Sequence, residues 1–310
     1  MRRPLVIFCA LAGLAALAVA AVYYARPDML PALLAPAGTA APQAAPASAD
    51  AAEDKAFYDE LEVLATRETA AIVTAYINKR VREKPRLLAV AMDWARDHSV
   101  GQQDLQKLNG YYYLLYSDLT FMASQAFKIA GIENEYKDMV RTSFASLLTF
   151  DLLMATDALR CKDTSVRDIR GPLVKPRYEL LDNAFDYLAP EDIYRLFLTV
   201  SKAESAMGSR APNAELCAGG IVGKTAQLND PATQHIEVDN PDMPGTKRTI
   251  LMPPPDFTFT PEYVTDDEWQ EARARMQAAV RDSWFQRQMN HKLRQNAAPS
   301  AAPEQSEPTP

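Results

Sequence analysis

Two apolar stripes on either side of Gly131 constrain this chain more than any other feature. In the first, side chains recur every three or four positions at Tyr112, Leu115, Tyr116, Leu119, Met122, Ala126 and Ile129. The same spacing returns at Tyr136, Val140, Phe144, Leu147, Leu148, Leu152, Ala155 and Leu159. A 3.6-residue period puts each set on one side of a helix, so residues 102–160 are expected to close as a helical hairpin and form the core. Gly131 tolerates the left-handed backbone that ends many helices.

The segments around this hairpin read as further amphipathic helices, which makes the fold class all-α and residues 53–207 a helical bundle domain. Residues 53–84 carry a broken stripe through Phe57, Leu61, Leu64, Ala65, Ile72 and Tyr76. They read as one helix, stopped at Pro85 because the ring disfavours helical backbone before it. A short helix over 86–97 follows. Ser99 and Gln102 have capping-box spacing and are expected to start the central pair. Pro176 and Pro190 each suit a first helical position, which needs no amide hydrogen. No recurring signature marks a solenoid.

Residues 208–263 are rich in Pro, Gly, Asn and Asp and read as a long irregular insertion. It has room for a small β-hairpin between 234–238 and 248–251. Thr265 and Glu268 then form a second capping box, opening a C-terminal amphipathic helix over 264–295. The Ala, Pro, Ser and Glu composition of 296–310 reads as a disordered tail.

At the other end, Arg2 and Arg3 precede an apolar run over residues 5–25. A run of roughly 20 apolar residues can span a bilayer, and flanking arginines favour the cytoplasmic side. Residues 1–26 therefore read as a signal-anchor, with the lipid bilayer as partner of residues 5–25. The alternative is a cleaved signal peptide, since Ala18, Val19 and Ala20 fit a small-residue cleavage site. Residues 27–52 are an Ala/Pro-rich linker. The expected location is a bacterial inner membrane, single-pass, with the bulk of the chain periplasmic. In such an oxidising compartment Cys161 and Cys217 can form a disulfide. The formal charge is −7 without a long basic run, which argues against nucleic-acid binding.

Four constellations invite a chemical reading. Residues 218–225 fit a relaxed phosphate-loop pattern, with Gly223, Lys224 and Thr225 in the positions that cradle phosphate and Ala218 replacing the first glycine. Such a loop should follow a buried strand, yet Asn213, Ala214 and Glu215 precede it, so the match reads as false and no cofactor is expected. On a strand, His235, Glu237 and Asp239 share one face and make a partial metal-ligand set, short of a further histidine. Asp151 and Asp157 lie within apolar surroundings, where a carboxylate can act as a general acid. Pairing with Arg141, Arg160 or Arg177 is the structural alternative. The tyrosines 111, 112, 113 and 116 offer rings for stacking on a glycan, although their helical spacing makes Tyr112 and Tyr116 core residues first.

No Gly-x-Ser-x-Gly, His-Glu-x-x-His, Cys-x-x-Cys or Ser-x-x-Lys signature occurs. The expectation is therefore a membrane-anchored extracytoplasmic protein that binds envelope proteins as an accessory or scaffold component. The alternatives are a carboxylate-based cell-wall glycan hydrolase and a small-ligand or metal-binding module.

Overall fold

The computed structural model describes residues 49–297 apart from 105–106, 183–187, 209, 240–244 and 255–256. The anchor read over 1–26, the linker as far as residue 48 and the tail from residue 298 lie outside the described residues. Within them the protein is mostly helical, and no helix is long and apolar enough to cross a membrane.

The central hairpin pairs α4 (Gly110–Ile129) with α5 (Glu133–Asp157), and this is the most extensive contact between any two elements. Gly131 sits between them at φ +72°, where a side chain would be strained. Before them come α1 (Ala49–Arg67), α2 (Ala70–Glu83) and α3 (Leu88–Asp97). After them come α6 (Arg170–Leu181), α7 (Pro190–Ala206), α8 (Ala214–Ala218), α9 (Ile221–Asn229), an antiparallel hairpin of β1 (Gln234–Asp239) and β2 (Lys247–Met252), and α10 (Asp266–Ala297).

Two apolar cores share α4 as a common wall. Tyr112, Leu115, Leu119 and Ala123 close the first core, against Phe57 and Leu61 of α1, Val73 and Ile77 of α2, and Trp94 of α3. Tyr113, Leu114 and Phe127 of α4 join the second, built on Phe144, Leu147, Phe150 and Leu152 of α5 with Phe197 of α7 and Trp284 of α10. Each large apolar side chain so buried contributes about 1.5–3 kcal/mol. A helix with apolar residues on two sides can be buried on both, which is why α4 carries two stripes.

Several boundaries depart from the sequence reading. The single helix expected over 53–84 is two, because the Thr69 side chain accepts from the Ile72 amide and caps a fresh start at Ala70. The first helix also reaches back to Ala49, into the expected linker. Ser99 does not open α4. Its hydroxyl donates to the Ala95 carbonyl at the end of α3, and the Asn109 side chain caps α4 by accepting from Tyr111 N at 3.0 Å. Pro176 lies inside α6, whose start at Arg170 puts Pro172 in the first turn instead. Residues 214–229, expected to be irregular, form α8 and α9.

Pro190 does open α7. The Thr265–Glu268 box closes at the head of α10, where Thr265 N donates to Glu268 Oε2 at 3.0 Å. Cys161 and Cys217 are disulfide-bonded, Cα to Cα 5.3 Å. Cys161 also bridges Tyr263 in an antiparallel pairing, with Val264 N donating to the Arg160 carbonyl at 2.9 Å. The start of α10 is thereby pinned to the end of the central hairpin.

Candidate functional site

The polar groups with most chemical potential are carboxylates buried on α5. Asp151 is fully buried. It accepts from Arg170 through both Nε and Nη2, from the Tyr178 hydroxyl at 3.0 Å and from Trp284 Nε1 at 2.7 Å. Burial, together with the charge and hydrogen bond of Asp151, pushes the Tyr178 hydroxyl well above its usual pKa. These donors use the lone pairs that a catalytic carboxylate would offer a substrate.

Six residues further along the same helix, Asp157 accepts from Arg210 Nε at 2.8 Å. The Arg210 guanidinium also reaches Glu204 on α7, its Nη1 lying 2.9 Å from Glu204 Oε1. Glu204 is fully buried and takes further hydrogen bonds from Thr156 Oγ1 at 3.1 Å, from Arg273 Nε at 3.0 Å and from Gln277. Trp269 roofs this cluster. Its indole N–H donates to the Thr156 carbonyl at 2.8 Å, and its ring lies 3.9 Å from the Arg160 guanidinium carbon and 4.9 Å from that of Arg273.

The environments of the two acids separate their protonation. Burial alone would raise Glu204, but the hydrogen bond of Arg273, the charge of Arg210 and the Gln277 bond outweigh it and hold its pKa below the usual 4.5. Asp157 goes the other way. Burial raises it, Arg210 opposes that rise, and the negative charge of Glu204 adds to it. Divergent carboxylates can mark an acid–base pair. Here both share one guanidinium inside the core, and the arrangement acts as an internal lock joining α5, α7 and α10.

The arginines expected beside these acids make their ion pairs elsewhere, although the charge of Arg160 still reaches Asp157 and lowers it. Arg141 pairs with Asp138, Arg177 with Asp118, and Arg160 with Asp266. Sequence reasoning missed Glu204, Arg210, Arg170 and Arg273. The signal for Glu204 was its register, since it continues the buried series Ile193, Phe197, Val200 on α7. The identity of its partners is a tertiary matter.

Gly223, Lys224 and Thr225 lie on α9, which follows a helix and not a strand. Gly223 is buried so close to α8 that a Cβ would run into the Ala218 carbonyl. The amides that would face a phosphate already have partners, Val222 N donating to Asp163 Oδ2 at 2.8 Å and Ile221 N to Ser165 Oγ at 2.7 Å. His235, Glu237 and Asp239 alternate along β1, where His235 and Glu237 are exposed and Glu237 pairs with Lys247 at 3.5 Å. Among the described residues no three His, Cys, Asp or Glu side chains are grouped to hold a metal ion. Tyr112 and Tyr113 are buried, and burial pushes the hydroxyls of Tyr111, Tyr112 and Tyr113 up to about 12.

The chain matches no protein-family model, no curated protein and no solved structure.

Outside the core, one stretch concentrates unusual surface. On α9 only Gly223 is buried, while Ile221 and Leu228 are 66% and 51% exposed and Val222 is exposed beside them. The β1–β2 hairpin follows four residues later, and Met252 at its end is also exposed. Among the described residues no further strand borders this hairpin, so each strand has an outer edge without a ladder partner. A two-stranded hairpin is marginal by itself in water, and open strand edges invite pairing with another chain.

Proposed function

We propose that this protein is a membrane-anchored, extracytoplasmic helical protein that binds other proteins as an accessory or scaffold component of an envelope assembly. The observations that carry this reading are the exposed apolar side chains on α9 and, four residues further along the chain, a hairpin with open edges. Strand addition to an open edge and apolar contact with a helix face are both standard modes of protein recognition. The Cys161–Cys217 disulfide supports an oxidising compartment, in keeping with the apolar run of residues 5–25 as an anchor. The engagement of Asp151, Asp157 and Glu204 by arginines favours binding over carboxylate chemistry.

In-cell crosslinking followed by affinity purification tests the proposal with three forms: the full chain, a chain lacking residues 1–25, and the double variant Ile221→Asp/Leu228→Asp. A defined set of envelope proteins is expected with the full chain and is lost in the other two. The same captured set from all three forms, or none from any, would overturn it.

A further inference from the structure

The short helix α8 joins parts of the molecule that are far apart in sequence. Its Glu215 carboxylate accepts from Ala70 N at 3.1 Å and Ala71 N at 3.3 Å, 145 and 144 residues away, and from Asn109 Nδ2 at 3.2 Å. Two residues on, Cys217 is bonded to Cys161. Between them Leu216 is fully buried in the second core.

The amides at the start of α2 can be accounted for one by one. Val73 N donates to the Thr69 carbonyl and Ile72 N to the Thr69 hydroxyl. The remaining two, Ala70 and Ala71, depend on Glu215. The first amides of a helix precede its first i to i−4 bond, here that of Val73, and lack intrahelical acceptors, so a carboxylate brought from elsewhere is a cap. This cap belongs to a five-residue helix, too short to persist without tertiary support.

We infer that the Cys161–Cys217 disulfide is a redox-sensitive clasp whose state is read at the start of α2 through Glu215. With the bond closed, α8 is held against the end of the central hairpin and Glu215 is presented to α2. Reduction by a dithiol proceeds through two thiol–disulfide exchanges. The S–S bond breaks, the dithiol supplies two electrons and two protons, Cys161 and Cys217 become thiols, and the dithiol closes to its own disulfide. Both cysteines are buried, so the dithiol reaches a sulfur only in a transient local opening of the packing around the still-closed bond, and α8 is released once the bond is cut. Once α8 is free, Ala70 and Ala71 lose their acceptor and the first core loosens at its junction with the second. The inference concerns how the two cores are coupled, beyond the binding role proposed above.

Hydrogen–deuterium exchange on the full chain in detergent tests this, with oxidised protein compared with protein treated with dithiothreitol. On reduction, the amides of Ala70, Ala71 and α8 are expected to exchange at least about tenfold faster while α5 keeps its protection. In oxidised protein, Glu215→Ala is expected to reproduce the effect at Ala70 and Ala71 with the disulfide intact. Unchanged exchange at Ala70 and Ala71 on reduction would overturn the clasp, as would loss of protection throughout the chain. Continued protection of both amides in Glu215→Ala would overturn the route through Glu215.

Discussion

Ser117 and Ser143 face each other across the central hairpin, each donating its hydroxyl to the other's backbone carbonyl at 2.8 Å. Both are buried, and the small side chains let α4 and α5 approach closely at that point. Ser117→Ala is expected to lower stability by about 1 kcal/mol, the net worth of one such bond. Ser117→Leu overpacks the contact and is expected to cost about 1–3 kcal/mol. Urea unfolding followed by circular dichroism checks both, and a stabilised leucine variant would refute the close approach.

Glu204→Ala is expected to be the most damaging single change in the second core. It leaves Arg273 and Arg210 buried without their shared acceptor. Breaking a buried ion pair from one side costs about 3–5 kcal/mol. Denaturant midpoints compared with those of an exposed control, Glu271→Ala, measure the difference; near-equal midpoints would contradict the lock.

The same residue sets a pH dependence whose sign is fixed by its lowered pKa. Glu204 contributes stability that is fully present above its usual 4.5 and is lost as pH falls through the lower folded value. Asp157, raised by burial, has the opposite sign, because protonation relieves its penalty as pH falls. The stability of the whole protein mixes the two. Measured in an Asp157→Asn background, which removes the coupled acid, the gap between Glu204 and Glu204→Gln reads Glu204 alone, and that gap is expected to narrow as the solution is acidified below pH 4.5. A gap that widens in acid would show the sign to be wrong.

In alkali three tyrosines take over, Tyr112 and Tyr113 buried and Tyr111 half-buried. Tyr111, Tyr112 and Tyr113 hold their protons to about 12, whereas unfolded tyrosines ionise near the usual 10. Their contribution to stability is complete below pH 10 and is lost as pH rises towards 12. Ultraviolet titration should show a late-ionising group of tyrosines in folded protein that joins the early group once urea is added. A single early transition in folded protein would contradict their burial.

Replacing both cysteines, as Cys161→Ala/Cys217→Ala, opens a link across 56 residues of sequence. In the loop-entropy description this costs about 4 kcal/mol. Thermal unfolding of the variant beside the oxidised wild type reads the loss, and an unchanged midpoint would mean that the unfolded chain is already restrained between the two positions.

What the sequence displayed most openly was periodic burial and two local caps. The stripes about Gly131, the proline opening α7 and the Thr265–Glu268 box all act within a few residues, so their physics is visible in a linear text. The split at Thr69 was hidden because the apolar stripe runs on through it, and a single threonine cap decides the break. Pro176 misled because a proline tolerated inside α6 looks the same on paper as one that starts a helix. The site was half legible. Asp151 and Asp157 stood out against their apolar neighbours, but Arg170, 19 residues from Asp151, and Arg210, 53 residues from Asp157, can be matched to them only in the folded chain.

The shared wall formed by α4 also imposes an order on synthesis. The chain emerges from its N-terminus, so α1, α2 and α3 are made before the helix that covers Phe57, Leu61 and Trp94 exists. Until residue 129 is out, that apolar surface has no lid. The carboxylate that caps α2, that of Glu215, arrives later still, long after α4 ends at Ile129. An early-made segment that waits on late-made partners is a natural client for a holding chaperone, and a stalled or truncated chain ending before α4 would display a sticky three-helix fragment.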